Sequence, residues 1–211
     1  MKAARPAWLS QLVGACESVT VRDLSRLDTP TTGGRESAVL ILFGEGPQGP
    51  DVLLIERSRD LKHHPGQAAF PGGGAEPGDG GPASTALREA VEETGLDPMG
   101  VEVLSLLPTL WVPPSDNRVT PVLGWWRDPS AVWAVDPAEV AAVARVPIAA
   151  LADPANRFRI RHPSGHIGTA FDVGELFVWG FTAGLLDRLL EIGGWAQPWD
   201  RADVRDLPPG R

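Results

Sequence analysis

The sequence predicts an α/β fold in which helices cover both faces of a mixed central β-sheet, an α/β/α sandwich. Short apolar segments rich in β-branched residues occupy positions 37–43 and 51–57, and the turn-forming GEGPQGP between them predicts paired strands. A helix is predicted for residues 82–94, where side chains suited to packing recur at i, i+3, i+4 and i+7. Strands that alternate with helices indicate such a layered arrangement.

The period of the apolar residues predicts the remaining elements. Further strands are predicted in residues 101–112, 119–126, 157–162 and 166–173, the last two as a hairpin around PSG. A short helix is predicted for residues 136–143, because Asp136 and Pro137 are favoured at a helix start. Residues 175–193 predict a long helix, with Phe177 on its apolar face.

We expect one domain over residues 1–211, with its core in residues 37–192. Residues 1–36 are predicted to form a short amphipathic helix followed by a surface loop from residue 23. A lipoprotein-type signal is the alternative for the first 16 residues, but polar residues interrupt its apolar part. Residues 197–211 are polar and predict a loosely docked tail.

The composition restricts the classes of partner. The formal net charge is -8 and no Lys/Arg-rich run is present, which argues against binding nucleic acid by charge attraction alone. The single cysteine, Cys16, excludes an intrachain disulfide and is typical of a cytoplasmic protein. No apolar stretch approaches the roughly 18 residues that span a bilayer. We therefore expect a cytoplasmic protein with no nucleic-acid or membrane partner, and the sequence is compatible with a homodimer.

Three glutamates, Glu89, Glu92 and Glu93, share one sector of the helix predicted for residues 82–94. A solvated acidic face is the ordinary explanation for such a pattern. However, Glu89 and Glu93 form an i, i+4 like-charge pair, and the nearby cation, Arg88, lies to one side of the cluster. A divalent cation would turn this repulsion into attraction, and carboxylate oxygens are the ligands that Mg²⁺ or Mn²⁺ prefers.

The PGGG segment, Pro71 to Gly74, provides a backbone without side chains before that helix. Its carbonyl groups, among them that of Gly73, can reach a metal ion, and its N–H groups can approach a phosphate closely. A glycine loop alone is weak evidence. A glycine loop at a fixed distance before an R-E-x-x-E-E helix is much stronger, because a metal-phosphate unit needs both halves.

Together the two halves resemble the signature of the Nudix hydrolases: G, five residues, E, seven residues, then R-E-U-x-E-E-x-G-U, where U is apolar. REAVEETGL agrees at every defined position, and Gly74 lies at the expected distance before Arg88. The resemblance implies an α/β/α sandwich, dependence on Mg²⁺ or alternatively Mn²⁺, and cleavage of a nucleoside diphosphate joined to another group. It implies that Glu92 and Glu93 are principal metal ligands, Glu89 a ligand or the base for the attacking water, and Arg88 an orienting catalytic partner.

Gly80 departs from this signature, because it stands where the family has its first glutamate. That acid commonly pairs with the motif arginine, here Arg88. Asp79 lies one residue away and could serve instead, so it is the candidate supporting residue of the motif. Whether Asp79 pairs with Arg88 is left open by the sequence.

The upstream stretch LLIERSRDLKHHPGQAAFPGG, residues 53–73, resembles an additional signature of the coenzyme A pyrophosphatase branch, approximately L-L-T-x-R-S, a basic residue, three residues, G, three residues and F-P-G-G. Ile55 replaces the usual threonine and Lys62 the usual arginine. An aspartate at the position of Asp79 is common in that branch. Later segments resemble the branch too, so the resemblance covers most of residues 37–192. It implies hydrolysis of coenzyme A or acyl-CoA to 3',5'-ADP and a 4'-phosphopantetheine product.

Cations and glycines in this stretch suggest the residues that contact the substrate. Arg57, Arg59 and Lys62 bring positive charge beside the glycine loop, although a solvated basic face is the more ordinary explanation. The predicted substrate-binding residues are Arg57, Lys62, His64, Gly66, Gln67, Gly72 and Gly74. His63 and His64 are adjacent and would not ordinarily face one metal, which favours a loop or substrate contact over a zinc site.

Several alternatives stay open. Trp125 and Trp126 point to opposite faces of a predicted strand, so core packing is favoured for each, while one could stack on a base. The substrate could be ADP-ribose, NADH, a dinucleoside polyphosphate or a nucleoside triphosphate. A Nudix-fold module that binds a nucleotide without hydrolysing it is a further alternative, but loss of acidic ligands would be expected there, and Glu89, Glu92 and Glu93 are all present.

Overall fold

Groups of strands are separated by helices along the chain in the computed structural model, which describes residues 5–30, 32–61 and 64–208. The helices are α1 (Ala7–Cys16), α2 (Val21–Leu24), α3 (Pro82–Thr94), α4 (Ile148–Ala152) and α5 (Gly180–Ile192). The strands are β1 (Arg35–Gly46), β2 (Gly49–Arg57), β3 (Ala68–Ala69), β4 (Gly72–Gly74), β5 (Val101–Leu106), β6 (Leu110–Val112), β7 (Asn117–Trp126), β8 (Val140–Pro147), β9 (Arg157–Arg161), β10 (Ile167–Val173), β11 (Leu176–Val178) and β12 (Val204–Asp206). The predicted α/β class is confirmed.

β1 lies in the middle of the larger sheet. It runs antiparallel to β2 and parallel to β7, so that Phe43 is opposite Val52 in one neighbour and Trp125 in the other. β5 and β6 pair with β7, and β8 pairs with β2. The sheet is therefore mixed, as predicted, and the first two predicted strands do pair.

Side chains of β1 alternate between two hydrophobic clusters, because successive side chains of a strand point to opposite faces. Those in the cluster with α3 are Ala38, Leu40 and Leu42. Those in the cluster with α1, α4 and α5 are Ile41 and Phe43. Helices thus cover both faces of the larger sheet, which confirms the predicted sandwich.

Trp125 and Trp126 also point to opposite faces, and both are buried. The Trp125 ring lies 5.8 Å from that of Trp8 in α1. Trp126 belongs to the cluster beneath α3, with the guanidinium of Arg145 4.8 Å from its ring centroid. The alternative that one of them stacks on a base is wrong, because neither ring is accessible to a ligand.

A second sheet, with strand order β11-β10-β9-β12, packs beneath the larger one and was not predicted as a separate layer. Its β9–β10 hairpin is the predicted one, with Arg161 opposite Ile167. Phe171 and Val178 from this sheet join the same hydrophobic cluster as α1 and α5. The second sheet therefore shares a core with the larger sheet.

The helix predicted for residues 136–143 is wrong. Asp136 instead starts a turn, where its carboxylate accepts a hydrogen bond from Ala138 N at 2.8 Å and its carbonyl accepts from the N–H groups of Glu139 and Val140. The chain then enters β8, seven of whose eight residues are paired with β2. The helix propensity of this alanine-rich segment is overridden by backbone hydrogen bonding with a strand that is distant in the sequence.

The long helix predicted for residues 175–193 begins too early. Leu176–Val178 form β11, which pairs with β10, and the helix starts only at Gly180, whose φ is +68°. Phe177 therefore lies in a strand rather than on the helix face. The strand predicted for residues 101–112 is likewise divided, into β5 and β6.

The segments before and after the core, residues 1–36 and 197–211, were each predicted in part. α1 confirms the short N-terminal helix. Part of the loop expected from residue 23 is instead the start of β1. The tail docks on the second sheet, where β12 pairs in parallel with β9 and the Trp199 ring lies 5.0 Å from the guanidinium of Arg157. Among the residues that the structure describes, no helix has the length and apolar character needed to cross a membrane.

Candidate active site

α3 begins and ends at the predicted signals. Gly81, with φ +124°, precedes Pro82 in the first turn, and Gly95 adopts the left-handed conformation at the C-terminal end, where its N–H donates to the carbonyl of Val91 at 2.9 Å. Ala86 is fully buried against the larger sheet. The helix therefore holds its polar side chains at fixed positions along the other sides.

The glycine segment reaches α3 because β1 and β2 diverge. β2 pairs with β1 from Phe43 to Gly46, close to their turn. Further along, β3 pairs with β2 and β4 pairs with β1. Residues 68–74 consequently fill the gap between the diverging strands and run beside α3.

Two glycines of this segment approach their neighbours closely, and at Gly72 the neighbour is backbone, so a larger residue cannot be accommodated there. A Cβ at Gly72 would collide with the backbone of Ala38 and Val39 in β1. A Cβ at Gly73 would lie 2.5 Å from the carboxylate of Glu89. The glycines thus let the backbone sit directly against the acidic side of the helix, as the sequence pattern indicated.

Glu93 is the deepest of the three glutamates, with 7% of its surface exposed. Its Oε2 accepts a hydrogen bond from Gly72 N at 2.9 Å, and Arg57 Nη1 lies 3.8 Å from its Oε1. Burial raises the pKa of Glu93 to about 7; Gly72 and Arg57 oppose the rise, while the charges of Glu89 and Glu139 add to it. A solvated acidic face does not describe this residue.

Glu89 and Glu92 share one cation. Nη1 of Arg88 lies 3.0 Å from Glu89 Oε1 and 3.0 Å from Glu92 Oε2. Burial raises the pKa of Glu89, Arg88 lowers it, and the charges of Glu92 and Glu76 raise it further. Glu92 is 57% exposed at its side chain, so the three carboxylates occupy different depths of one surface.

Asp79 pairs with Arg88, which answers the question raised by Gly80. Nε and Nη2 of Arg88 donate to the two carboxylate oxygens of Asp79, each at 3.2 Å. Nη2 also donates to the carbonyl of Gly74 at 2.9 Å, and Thr85 Oγ1 donates to Asp79 at 2.8 Å. The guanidinium, together with hydrogen bonds from Glu76 N and Thr85 Oγ1, lowers the pKa of Asp79 to about 2. Asp79 therefore occupies the pairing role of the acid that Gly80 lacks.

The carboxylate oxygens of Glu89, Glu92 and Glu93 are suitable ligands for a hard divalent cation, although the three side chains do not converge on one point. Among residues 5–30, 32–61 and 64–208, no group of three His, Cys, Asp or Glu side chains is placed to hold a metal ion. Glu89 and Glu92 face Arg88, and Glu93 faces Gly72. Because the charges of neighbouring carboxylates help to raise the pKa of Glu89 and of Glu93, a cation here would relieve an existing excess of negative charge.

The predicted substrate loop folds back onto the end of β2. Gly66 N donates to the carbonyl of Arg57 at 3.1 Å, and Arg57 N donates to that of Gln67 at 3.0 Å. His64, in the left-handed region at φ +54°, has its Nδ1 3.0 Å from Gln67 Oε1. The loop thus brings Arg57 and Gln67 together at the end of β2. Lys62, a further predicted contact, and His63 beside it lie outside the described residues.

Glu139 is a neighbour of the site that sequence reasoning missed. Its carbonyl accepts from Ser58 N at 2.8 Å, and the next residue, Val140, is opposite Arg57 in the β2–β8 pairing. Its charge raises the pKa of Glu93. The incorrect helix prediction over residues 136–143 concealed this position, and only the pairing of β8 with β2 reveals it.

A comparison of the whole chain with known families agrees with this geometry. Residues 34–165, well over half of the chain, match the model of the NUDIX domain. The chain belongs to the Nudix family. It is 36% identical over 178 residues to an uncharacterized Nudix hydrolase, NudL, of Escherichia coli K12, an alignment that covers 80% of this chain and 88% of that relative. The protein is accordingly a Nudix hydrolase, and such enzymes generally need divalent metal ions such as Mg²⁺.

Solved structures show the same Nudix fold at low sequence identity. The Nudix hydrolase RenU from M. smegmatis has a TM-score of 0.51 and 21% identity, covering 84% of this chain and 97% of its own. A Nudix hydrolase from Nitrosomonas europaea has a TM-score of 0.50 and 14% identity, covering 86% of this chain and 83% of its own. These similarities concern the architecture alone.

Proposed function

We propose that this Nudix hydrolase is a cytoplasmic enzyme that cleaves the pyrophosphate bond of coenzyme A or an acyl-CoA, releasing 3',5'-ADP and a 4'-phosphopantetheine product. One observation carries the proposal: the loop-helix unit, residues 71–96, continues directly from the stretch, residues 53–73, that resembles the coenzyme A pyrophosphatase signature apart from Ile55 and Lys62. Arg57 belongs to that stretch and lies 3.8 Å from Glu93 of α3. The single, buried Cys16 supports a reducing compartment.

Glu89, Glu92 and Glu93, with the carbonyl of Gly73, are the proposed holders of the divalent ion. When bound, such an ion supplies positive charge to the diphosphate and lowers the pKa of a coordinated water. The three glutamates project from one helix, so their backbone positions are set before substrate arrives, and only their side chains have to turn towards the ion. Glu89 is also the proposed base that accepts the proton of the attacking water.

Arg88 keeps the carboxylates in place rather than meeting the substrate first. Its guanidinium is held by both oxygens of Asp79 and by the carbonyl of Gly74, and its remaining nitrogen lies between Glu89 and Glu92. An arginine fixed on two sides presents its third side with little conformational freedom. We therefore propose an orienting role for Arg88, supported by Asp79.

The substrate side of the site is proposed to be the loop that closes on β2. Arg57, at the end of β2, offers a guanidinium that is partly exposed, and Lys62 follows it by five residues in the sequence. His64, Gly66 and Gln67 complete the proposed contacts. The N–H of Gly72 is engaged by Glu93, so the proposed backbone contact to phosphate passes to Gly74.

Incubation with a panel of substrates tests the proposal. The panel contains coenzyme A, acetyl-CoA, ADP-ribose, NADH, a dinucleoside polyphosphate and ATP, each with Mg²⁺ or Mn²⁺, and mass spectrometry identifies the products. We expect 3',5'-ADP from the two coenzyme A compounds at the highest kcat/KM, and no turnover in EDTA. A higher kcat/KM for ADP-ribose or NADH would contradict the substrate class, and cleavage of none would indicate a binding module.

A further inference from the structure

A large indole is exposed beside the last turn of α3. Trp133 has 55% of its surface exposed, whereas the neighbouring and smaller Val132 packs into the cluster beneath the helix. Burial alone would favour the opposite choice, because an indole removes more apolar area from water than an isopropyl group. Of these two neighbouring side chains, the larger one therefore faces solvent.

Backbone contacts hold the indole in place. Trp133 N donates to the carbonyl of Thr94 at 3.0 Å, and Val135 N donates to that of Glu93 at 3.3 Å. These bonds satisfy carbonyls that the end of a helix otherwise leaves unpaired. Residues 133–135 are thus fastened along the end of α3, and the position of the Trp133 ring follows from that of the helix.

Gly95 makes room for the ring. A Cβ at Gly95 would lie 2.7 Å from Cζ2 and 2.9 Å from Cη2 of Trp133, so the six-membered ring rests directly against the glycine backbone. Gly95 follows Glu92 by three residues, about 4.5 Å along the helix axis. The glycine that supports the ring therefore lies just under one helical turn beyond Glu92 along α3.

We propose that Trp133 is the stacking platform for the adenine base of the nucleotide substrate. A ribose separates the base of a nucleoside diphosphate from its phosphates, so a platform must lie near the carboxylates without occupying their site. An indole fixed by backbone bonds offers its π-face at little cost in conformational entropy, and needs no charge in a protein of net charge -8. The inference rests on the proposed function, which supplies an adenine-bearing substrate, and it adds the residue that recognises the base.

Calorimetry with AMP, 3',5'-ADP and ribose 5-phosphate in the presence of Mg²⁺ measures base recognition apart from hydrolysis. Trp133→Leu removes the π-face but keeps apolar bulk, and Trp133→Phe keeps a smaller π-face. For the leucine variant we expect Kd for both adenine nucleotides to rise about tenfold, within the range of base-aromatic stacking, and KM for the preferred substrate to rise likewise. The phenylalanine variant should stay within about threefold, and Kd for ribose 5-phosphate should not change.

Val135→Ala is the matched control, because Val135 is 47% exposed two residues away on the same segment. Unchanged Kd values in Trp133→Leu would overturn the proposal. So would an equal loss in Trp133→Phe, in Val135→Ala or towards ribose 5-phosphate, since each indicates a general change in packing. A wild-type protein that binds AMP through Trp133 but cleaves no coenzyme A compound would contradict the substrate assignment and support the platform.

Discussion

Two arginine-aspartate pairs in this protein differ in how their guanidinium groups are satisfied. Arg88, in the loop-helix unit, donates to both oxygens of Asp79 and to the carbonyl of Gly74, and remains partly exposed. Arg157, in β9, has a fully buried side chain and pairs with Asp187 of α5. Its Nε and Nη1 have no hydrogen-bond partner among the described residues.

The surroundings explain this difference. Arg157 lies between the rings of Phe171, at 5.4 Å, and Trp199, at 5.0 Å, and so joins β9, β10, α5 and the C-terminal tail. Stacking on aromatic faces partly replaces hydrogen bonding for a planar cation. Arg88 has carboxylates in place of rings around it. The surroundings of Arg157 therefore hold parts of the fold together, whereas those of Arg88 hold charged side chains in the candidate active site.

The largest expected effect comes from breaking the buried pair. Arg157→Met leaves the carboxylate of Asp187 without its cation, and we expect the free energy of unfolding to fall by about 3–5 kcal/mol. Urea denaturation measures the loss. The kcat per folded molecule should not change, because this pair lies in the second sheet and α5. The double variant Arg157→Met/Asp187→Leu should recover much of the stability, and a loss below about 1 kcal/mol in the single variant would contradict this account.

A second prediction concerns the exposed glutamate of α3. Glu92→Gln should lower kcat about 100-fold, because one negative ligand is lost where charge must be balanced. The free energy of unfolding should change by no more than about 0.5 kcal/mol, since the side chain is largely exposed. Glu76→Gln, which removes a carboxylate 4.0 Å from Arg88, is the matched control with activity retained. Near-normal Mg²⁺-dependent turnover by Glu92→Gln would be incompatible with the assigned site.

The smallest effect is expected from the pair that substitutes for the family's first glutamate. Asp79→Ala should lower kcat/KM about tenfold, because Arg88 loses the two acceptors that orient it. A Cβ at Gly80 would meet only Ser84 Oγ, at 3.4 Å, so a side chain fits there. Adding Gly80→Glu should therefore restore part of the activity. Wild-type kinetics for Asp79→Ala would show that Arg88 does not depend on this partner.

The same pair has a signature in pH. Because Arg88, with hydrogen bonds from Glu76 N and Thr85, lowers the pKa of Asp79 to about 2, below an unfolded value near 3.9, ionised Asp79 contributes stability that is fully present above about pH 4. That contribution is lost as pH falls from about 4 to about 2. Urea midpoints across this interval should fall less in Asp79→Asn than in the wild type, and identical slopes would argue against a strong pair.

The bounds of an element could be predicted where the residues that start and end it lie within one segment. The helix predicted for residues 82–94 has the observed bounds because Pro82 suits its first turn and Gly95 its left-handed end. The structure of residues 136–143 depends instead on a distant segment. Their helical composition gave way to pairing with β2, whose residues lie about 90 positions earlier in the chain.

The candidate site shows the same division. The sequence identified Glu89, Glu92 and Glu93 by their spacing on one helix. It did not reveal that Glu93 is buried or that Glu139 lies close enough to raise its pKa, because both depend on β8 and on the glycine segment.

By itself, the sequence determined the helix, its acidic sector, the glycine segment and the family to which they belong, because these features are periodic or contiguous in the chain. Only the tertiary structure decided that Asp79 meets Arg88, that the tail joins β9, and that Trp133 stands exposed on Gly95. Each of these contacts joins segments that approach one another only when β1 and β2 diverge or when the sheets and helices pack. Spacing along the chain carries no information about such distances.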